Sequence, residues 1–158
     1  MNIMDMMVVD ANTDALGISK ALLMENAGKC VAQKIFEISK PCKINIYAGT
    51  GGNGGDGFVA ARYLHNHGFE VELFLIGHQS HISSYEALRN WEVLSKLNIE
   101  TNNIILNIIE DHSKLVFNNA ELVIDAILGT GTQGKLRKPV SKAIDIINNS
   151  NCTVIAVD

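Results

Sequence analysis

Short apolar runs alternate along this chain with longer stretches whose apolar residues recur every three or four positions. The runs Lys43–Ala48, Glu70–Ile76, Glu121–Leu128 and Cys152–Val157 are bounded by glycine, proline or asparagine and read as strands. A short helix is expected within residues 1–16. Ser19 is placed to cap the next helix, which runs to Ile38 with Leu23, Ala27, Val31 and Ile35 on one face, before Pro41 breaks it. A helix from about Gly55 to His67 stops at Gly68. Another starts at Ser83 or Ser84 and reaches about Leu97, with Leu88, Trp91, Val93 and Leu94 apolar and Tyr85 and Trp91 as packing residues. Ile99–Leu106 reads as a short strand and residues 108–118 as a weak helix. Pro139 suits the first position of a last helix, to about Asn148. Strands alternating with helices, with little polar interruption in the strands, predict a mostly parallel sheet covered on both faces, an α/β sandwich in three layers.

Composition adds bounds. The chain has 158 residues, 47% of them hydrophobic and 19% charged, which suits one domain with a real core over residues 1–158. The net charge of −4 disfavours a nucleic-acid surface, which needs a basic face. Cys30, Cys42 and Cys152 are scattered without C-x-x-C spacing, so they read as reduced thiols and neither a zinc site nor a disulfide framework is indicated. No basic leader precedes an apolar core at the start, and no apolar run reaches the ~20 residues of a membrane span. A cytoplasmic protein that binds no membrane is expected.

The candidate chemistry lies where strands end. Residues 49–57 read Gly-Thr-Gly-Gly-Asn-Gly-Gly-Asp-Gly, directly between a strand and a helix. That order brings backbone N–H groups and the positive end of a helix to an anion. A second loop, Gly129-Thr130-Gly131-Thr132-Gln133-Gly134, repeats the G-x-G-x-x-G spacing after the strand ending at Leu128. Asp158 closes the last strand. In a parallel sheet these strand ends share one edge, so Asn53, Asp56, Asp125 and Asp158 converge on one crevice. The sequence reads as a fragment whose site continues past Asp158.

Two familiar readings fail on particular residues. A dinucleotide dehydrogenase needs an acid at the end of its second strand to hold the adenosine ribose, and here that strand ends Leu75-Ile76-Gly77-His78. Asp56 within the loop would also repel a pyrophosphate. Gly129 to Lys135 fits G-x-x-x-x-G-K, but Leu136 follows where a P-loop needs a hydroxyl for Mg²⁺. Asn53 and Asp125 could serve as oxygen ligands of a hard cation, K⁺ as readily as Ca²⁺. Equally, Asn53 could be a turn residue and Asp125 an acceptor for loop N–H groups. No metal-binding pair or nucleophilic triad stands out among the five histidines and the remaining polar residues.

Four stretches together resemble one family. They are the loop at 49–57 with its following Val59-Ala60-Ala61-Arg62-Tyr63-Leu64, the segment Asp125-Ala126-Ile127-Leu128-Gly129-Thr130-Gly131, the early Leu23-Met24-Glu25-Asn26-Ala27-Gly28, and the final Val154-Ile155-Ala156-Val157-Asp158. In this order they resemble the YjeF N-terminal domain family of NAD(P)H-hydrate epimerases. The resemblance implies a Rossmann-like α/β/α sandwich, usually a homodimer. It implies an isomerase that interconverts the R and S forms of NADHX and NADPHX, which carry a hydroxyl at C6 of the nicotinamide ring, so that a partner dehydratase can repair both. By motif, substrate contacts fall on Gly52, Asn53, Gly54, Gly55 and Asp56, on Gly129, Thr130, Gly131, Thr132, Gln133, Gly134 and Lys135, and on Asp158. K⁺ ligands fall on Asn53 and Asp125, and Asp158 is the expected acid–base group. Gly52 departs from the family, which has a second asparagine there. The family continues past Asp158 with a turn that carries another K⁺ ligand, and a fused C-terminal dehydratase domain is a further expectation. The rival is a non-catalytic dimerisation or scaffold module of the same fold, disfavoured because Asn53, Asp56, Asp125 and Asp158 are all retained.

Overall fold

The computed structural model describes residues 12–13, 16–100, 104–129, 132 and 134–157. Their secondary structure follows the alternation of the sequence: α1 (Lys20–Ile38), β1 (Lys43–Ala48), α2 (Gly52–Asn66), β2 (Glu70–Ile76), α3 (Tyr85–Glu100), β3 (Ile104–Ile109), β4 (Leu122–Ala126), α4 (Val140–Asn148) and β5 (Thr153–Ala156). The five strands are all parallel, in the order β3-β2-β1-β4-β5. The sandwich expected from the pattern is therefore present. Of the helix expected in residues 1–16, most lies outside the described residues.

The local reasons are mostly those of the sequence. The Ser19 hydroxyl accepts the Leu22 N–H at 3.3 Å and opens α1. Gly68, at φ +84°, ends the turn after α2. Elsewhere packing overrules the pattern. The buried row of α1 is Gly28, Ala32 and Ile35, while Ala27 is exposed and Leu23 and Val31 are half-buried. The cause is close approach to α2, since a Cβ on Gly28 would stand 2.4 Å from Val59 Cβ. Helix α3 continues through Ile99 and Glu100, so β3 starts only at Ile104. Trp91 is buried as expected, whereas Tyr85 is 72% exposed. No α-helix forms over 108–118. Strand β3 runs to Ile109, a 3₁₀ turn covers His112–Lys114, and the chain then crosses the sheet with Leu115 buried and Asn118 donating to Glu72 at 2.6 Å.

Two faces result. Helices α1, α2 and α3 cover one, where Ala32, Ile35, Phe58, Leu64, Trp91 and Leu94 meet Ile44, Ile46, Leu73 and Ile124. Each large aliphatic side chain buried there contributes roughly 2 kcal/mol. Helix α4 covers the other through Ala143 and Ile147, on Tyr47 and Val123. The crossing to β4 reverses the direction of winding. The resulting switch point between β1 and β4 is where an open α/β sheet leaves room for a ligand at its carboxyl edge.

Candidate functional site

At that switch point the two glycine loops interlock. Gly49 N–H donates to Ala126 O at 3.0 Å, continuing the β1–β4 pairing beyond the strand. A Cβ on Gly49 would lie 2.0 Å from Ile127 O, and one on Gly54 would lie 1.9 Å from Gly49 O. Only glycine fits at either place. Helix α2 starts inside the loop, at Gly52, three residues before the start expected from composition. Its first internal bond is Gly55 N–H to Gly51 O at 3.2 Å, so the N–H groups of Gly52, Asn53 and Gly54 have no acceptor within the helix. Here the positive end of the helix dipole faces the cleft.

The cleft holds about 510 Å³, and Gly51, Gly52, Asn53, Ser83, Leu128, Gly129 and Thr132 are among its lining. Larger hollows, of about 660 and 710 Å³, lie between α4 and Cys152 and along α3, and neither includes a glycine loop. Asn53 binds the parts together. Its Nδ2 donates to Leu128 O at 2.8 Å and to Val157 O at 2.7 Å. Two carbonyl partners fix the amide's orientation and turn Oδ1 toward Gly129, where a Cβ would stand 2.6 Å from it. Val157 N–H in turn donates to Asp125 O at 2.8 Å, and the Asp125 carboxylate accepts the Ile127 N–H at 3.1 Å. Val157, which directly follows β5, is thereby held against the first glycine loop.

Not every residue implicated by motif lines this cleft. Gly55 lies one turn into α2, against Met24 and Ala87. Asp56 stands on the same helix, where burial pushes its carboxyl up to about 7, and it makes no hydrogen bond among the described residues. In the second loop, Thr132 N–H donates to Gly129 O at 3.1 Å, while Gly134 and Lys135 are exposed. Thr130, Gly131, Gln133 and Asp158 lie outside the described residues. Two features escape sequence reasoning. Ser83 holds the Thr50 carbonyl through its N–H at 2.9 Å and its hydroxyl at 3.2 Å. Glu25 accepts from Arg62 at 2.5 Å and from Tyr63 at 2.9 Å, clamping α1 to α2 beneath the loop. Burial alone would raise the Glu25 carboxyl, but these two donors outweigh it and hold it low. The signal for that clamp was present, because all three residues stand in the stretches that carry the family resemblance.

The donors a cation would meet are oxygens. Asn53 Oδ1 and one carboxylate, Asp125, bring a single formal charge, and no group of three His, Cys, Asp or Glu side chains capable of holding a metal occurs among the described residues. Oxygens of this kind are the ligands that hard cations take, K⁺ among them.

An all-parallel sheet with a glycine loop opening a helix at its switch point defines a Rossmann-like α/β domain. Within that class the chain belongs to the family of the YjeF-related protein N-terminus, whose model matches residues 20–158. It is 46% identical over 154 residues to the bifunctional NAD(P)H-hydrate repair enzyme Nnr of Methanothermobacter thermautotrophicus, covering 98% of this chain and 30% of that protein. It is 35% identical to the NAD(P)H-hydrate epimerase of Cenarchaeum symbiosum, covering 95% of this chain and 68% of that protein. The crystal structure of yeast ynu0 has the same fold, with a TM-score of 0.68 at 22% identity, covering 95% of this chain and 67% of that one. The chain thus spans less than a third of the length of several bifunctional relatives. No helix among the described residues is long and apolar enough to cross a membrane.

Proposed function

We propose that this domain is an NAD(P)H-hydrate epimerase, which interconverts the R and S forms of NADHX and NADPHX. The observation that carries the reading is the Asn53 amide, which lines the cleft at the amino end of α2 and ties Leu128 O and Val157 O to it. The relatives' names supply the substrate. C6 of the hydrated ring bears both the ring nitrogen and the hydroxyl. Its configuration is lost if the C–O bond breaks with departure of water and re-forms from the other face, or if the C–N bond opens to an aldehyde and recloses. Either route moves a proton at that oxygen, and we assign the proton to Asp158, the residue that follows the Val157 carbonyl held by Asn53. The N–H groups of Gly52, Asn53 and Gly54, which have no acceptor within the helix, bind phosphate, and the second loop, from Gly129 to Lys135, supplies further substrate contacts. Asn53 and Asp125 are the residues to hold K⁺, which would offset phosphate charge and brace the loops. In this reading the protein works in the cytoplasm as a homodimer and passes S-form substrate to a dehydratase, fused or separate.

The test is chromatographic. Purified R-NADHX is incubated with the full natural chain in K⁺ buffer, and R-to-S conversion is followed against the uncatalysed rate. Acceleration is expected, and Asp158→Asn should abolish it while leaving ligand binding largely intact. Conversion by that variant at the wild-type rate removes Asp158 from the mechanism. Absence of conversion by the wild type leaves a non-catalytic ligand-binding module.

A further inference from the structure

Strand β2 ends without an acid, but the neighbouring strand supplies one at the same place. Ile76 pairs with Ile109, and Gly77 N–H donates to Ile109 O at 3.0 Å, so the residues following β2 and β3 meet across the edge. Glu110 Oε1 stands 3.5 Å from His78 Nε2. Ser80 fixes the ring, since its N–H reaches His78 Nδ1 at 3.0 Å and its hydroxyl lies 2.6 Å from the same nitrogen. A backbone N–H on Nδ1 makes that nitrogen an acceptor, so the ring hydrogen sits on Nε2, toward Glu110. The two residues border a cavity of about 530 Å³ with Gly77, Ser80, His81 and Pro139. This cavity adjoins the glycine-loop cleft: Ile76 and Val140 line the one, Gly77 and Pro139 the other.

We infer that this cavity receives the adenosine ribose of the dinucleotide, with Glu110 accepting the hydrogen of its 2′-hydroxyl and His78 positioning Glu110. The inference rests on the dinucleotide reading of the glycine-loop cleft. With phosphates at the amino end of α2 and the nicotinamide toward β5 and Asp158, the adenosine half runs the opposite way along the edge, over β2 and β3. Glu110 takes the part that an acid on β2 has in ordinary dinucleotide folds, and a carboxylate that welcomes a ribose diol repels a 2′-phosphate. The site therefore selects NADHX over NADPHX.

Binding of ADP-ribose and of its 2′-phosphate to the full natural chain, measured by calorimetry, tests this apart from turnover. The wild type is expected to prefer ADP-ribose by about tenfold or more, and Glu110→Gln and Glu110→Ala to reduce that preference to about threefold or less. Glu110 is 61% exposed, so neither variant should disturb folding. His78→Gln should lower the preference by a smaller factor. The same changes should appear in the ratio of kcat/KM for NADHX and NADPHX. A wild type that binds neither probe, or prefers the 2′-phosphate, or keeps its preference in both Glu110 variants, overturns the assignment. Discrimination in binding without any turnover would retain the ribose site and reject the epimerase.

Discussion

The two glycine loops share one spacing and need their glycines for different reasons. In the first loop no glycine has a positive φ, and what forbids a side chain at Gly49 and Gly54 is the protein's own backbone, carbonyl oxygens about 2 Å from any Cβ. In the second loop Gly134 has φ +85° and open space around it, so its glycine answers a demand of the backbone rather than of packing. The first loop is helical from Gly52 onward, whereas α4 begins only at Val140, well beyond the second. One motif thus marks both a packed scaffold at Gly49 and Gly54 and an exposed backbone turn at Gly134, and contacts alone separate them.

Substitutions should break this contrast in a definite order. Gly54→Ala is the most damaging, because its Cβ would enter Gly49 O and both partners are backbone. A loss of roughly 3 kcal/mol or more in urea unfolding is expected. Asn53→Ala follows at roughly 2 kcal/mol, since it leaves the Leu128 and Val157 carbonyls without their donor. It should also speed hydrogen exchange at the end of β5, and unchanged exchange there would mean that Asn53 does not hold that strand.

Asp56 sharpens the comparison through pH. Its folded pKa of about 7 stands above its unfolded value of 3.8, so the unfolded chain gives up its proton first as pH rises. The native state should therefore lose stability from about pH 4 to pH 7 and level off above. Asp56→Asn should remove this trend, gaining on the wild type at pH 8 relative to pH 5 when urea midpoints are compared. A constant difference between the two proteins would exclude a buried carboxyl. Gly134→Ala comes next, at roughly 1 kcal/mol from its positive φ alone. Gly52→Ala is smallest, within about 0.5 kcal/mol of wild type, because nothing lies within 4 Å of its added Cβ.

The strands were legible where punctuation is strong. Pro41, Gly49, Gly68 and Gly77 bound β1 and β2, and both match their expected limits residue for residue. What misled was long-range. Glycine is a poor helix former, so Gly52 to Gly54 read as loop, yet the approach of α2 to Gly49 makes them its first turn. The expected row of α1 holds at Ile35, but Gly28 and Ala32 are buried in place of Ala27 and Val31 because close helix contact favours small residues. The path of 108–118 depends on Glu72, which lies on another strand and draws in Asn118. Asn53 was recognisable by type and place, but its two carbonyl partners were not. Likewise the missing acid after β2 could be read from the chain, and its replacement by Glu110 only from the β2–β3 register.

The bonds of Asn53 span 75 and 104 residues of chain. Closing such long loops has an entropy cost that local structure cannot offset, so these contacts belong late in folding. The early half of the sheet, β1 with β2 and β3, can assemble from neighbouring segments. The cleft gains its shape only when β4 and β5 have docked on the far side of β1. Phosphate affinity should therefore arrive in the last kinetic phase of refolding, after most of the secondary structure is in place, which makes ligand capture a reporter of completed assembly.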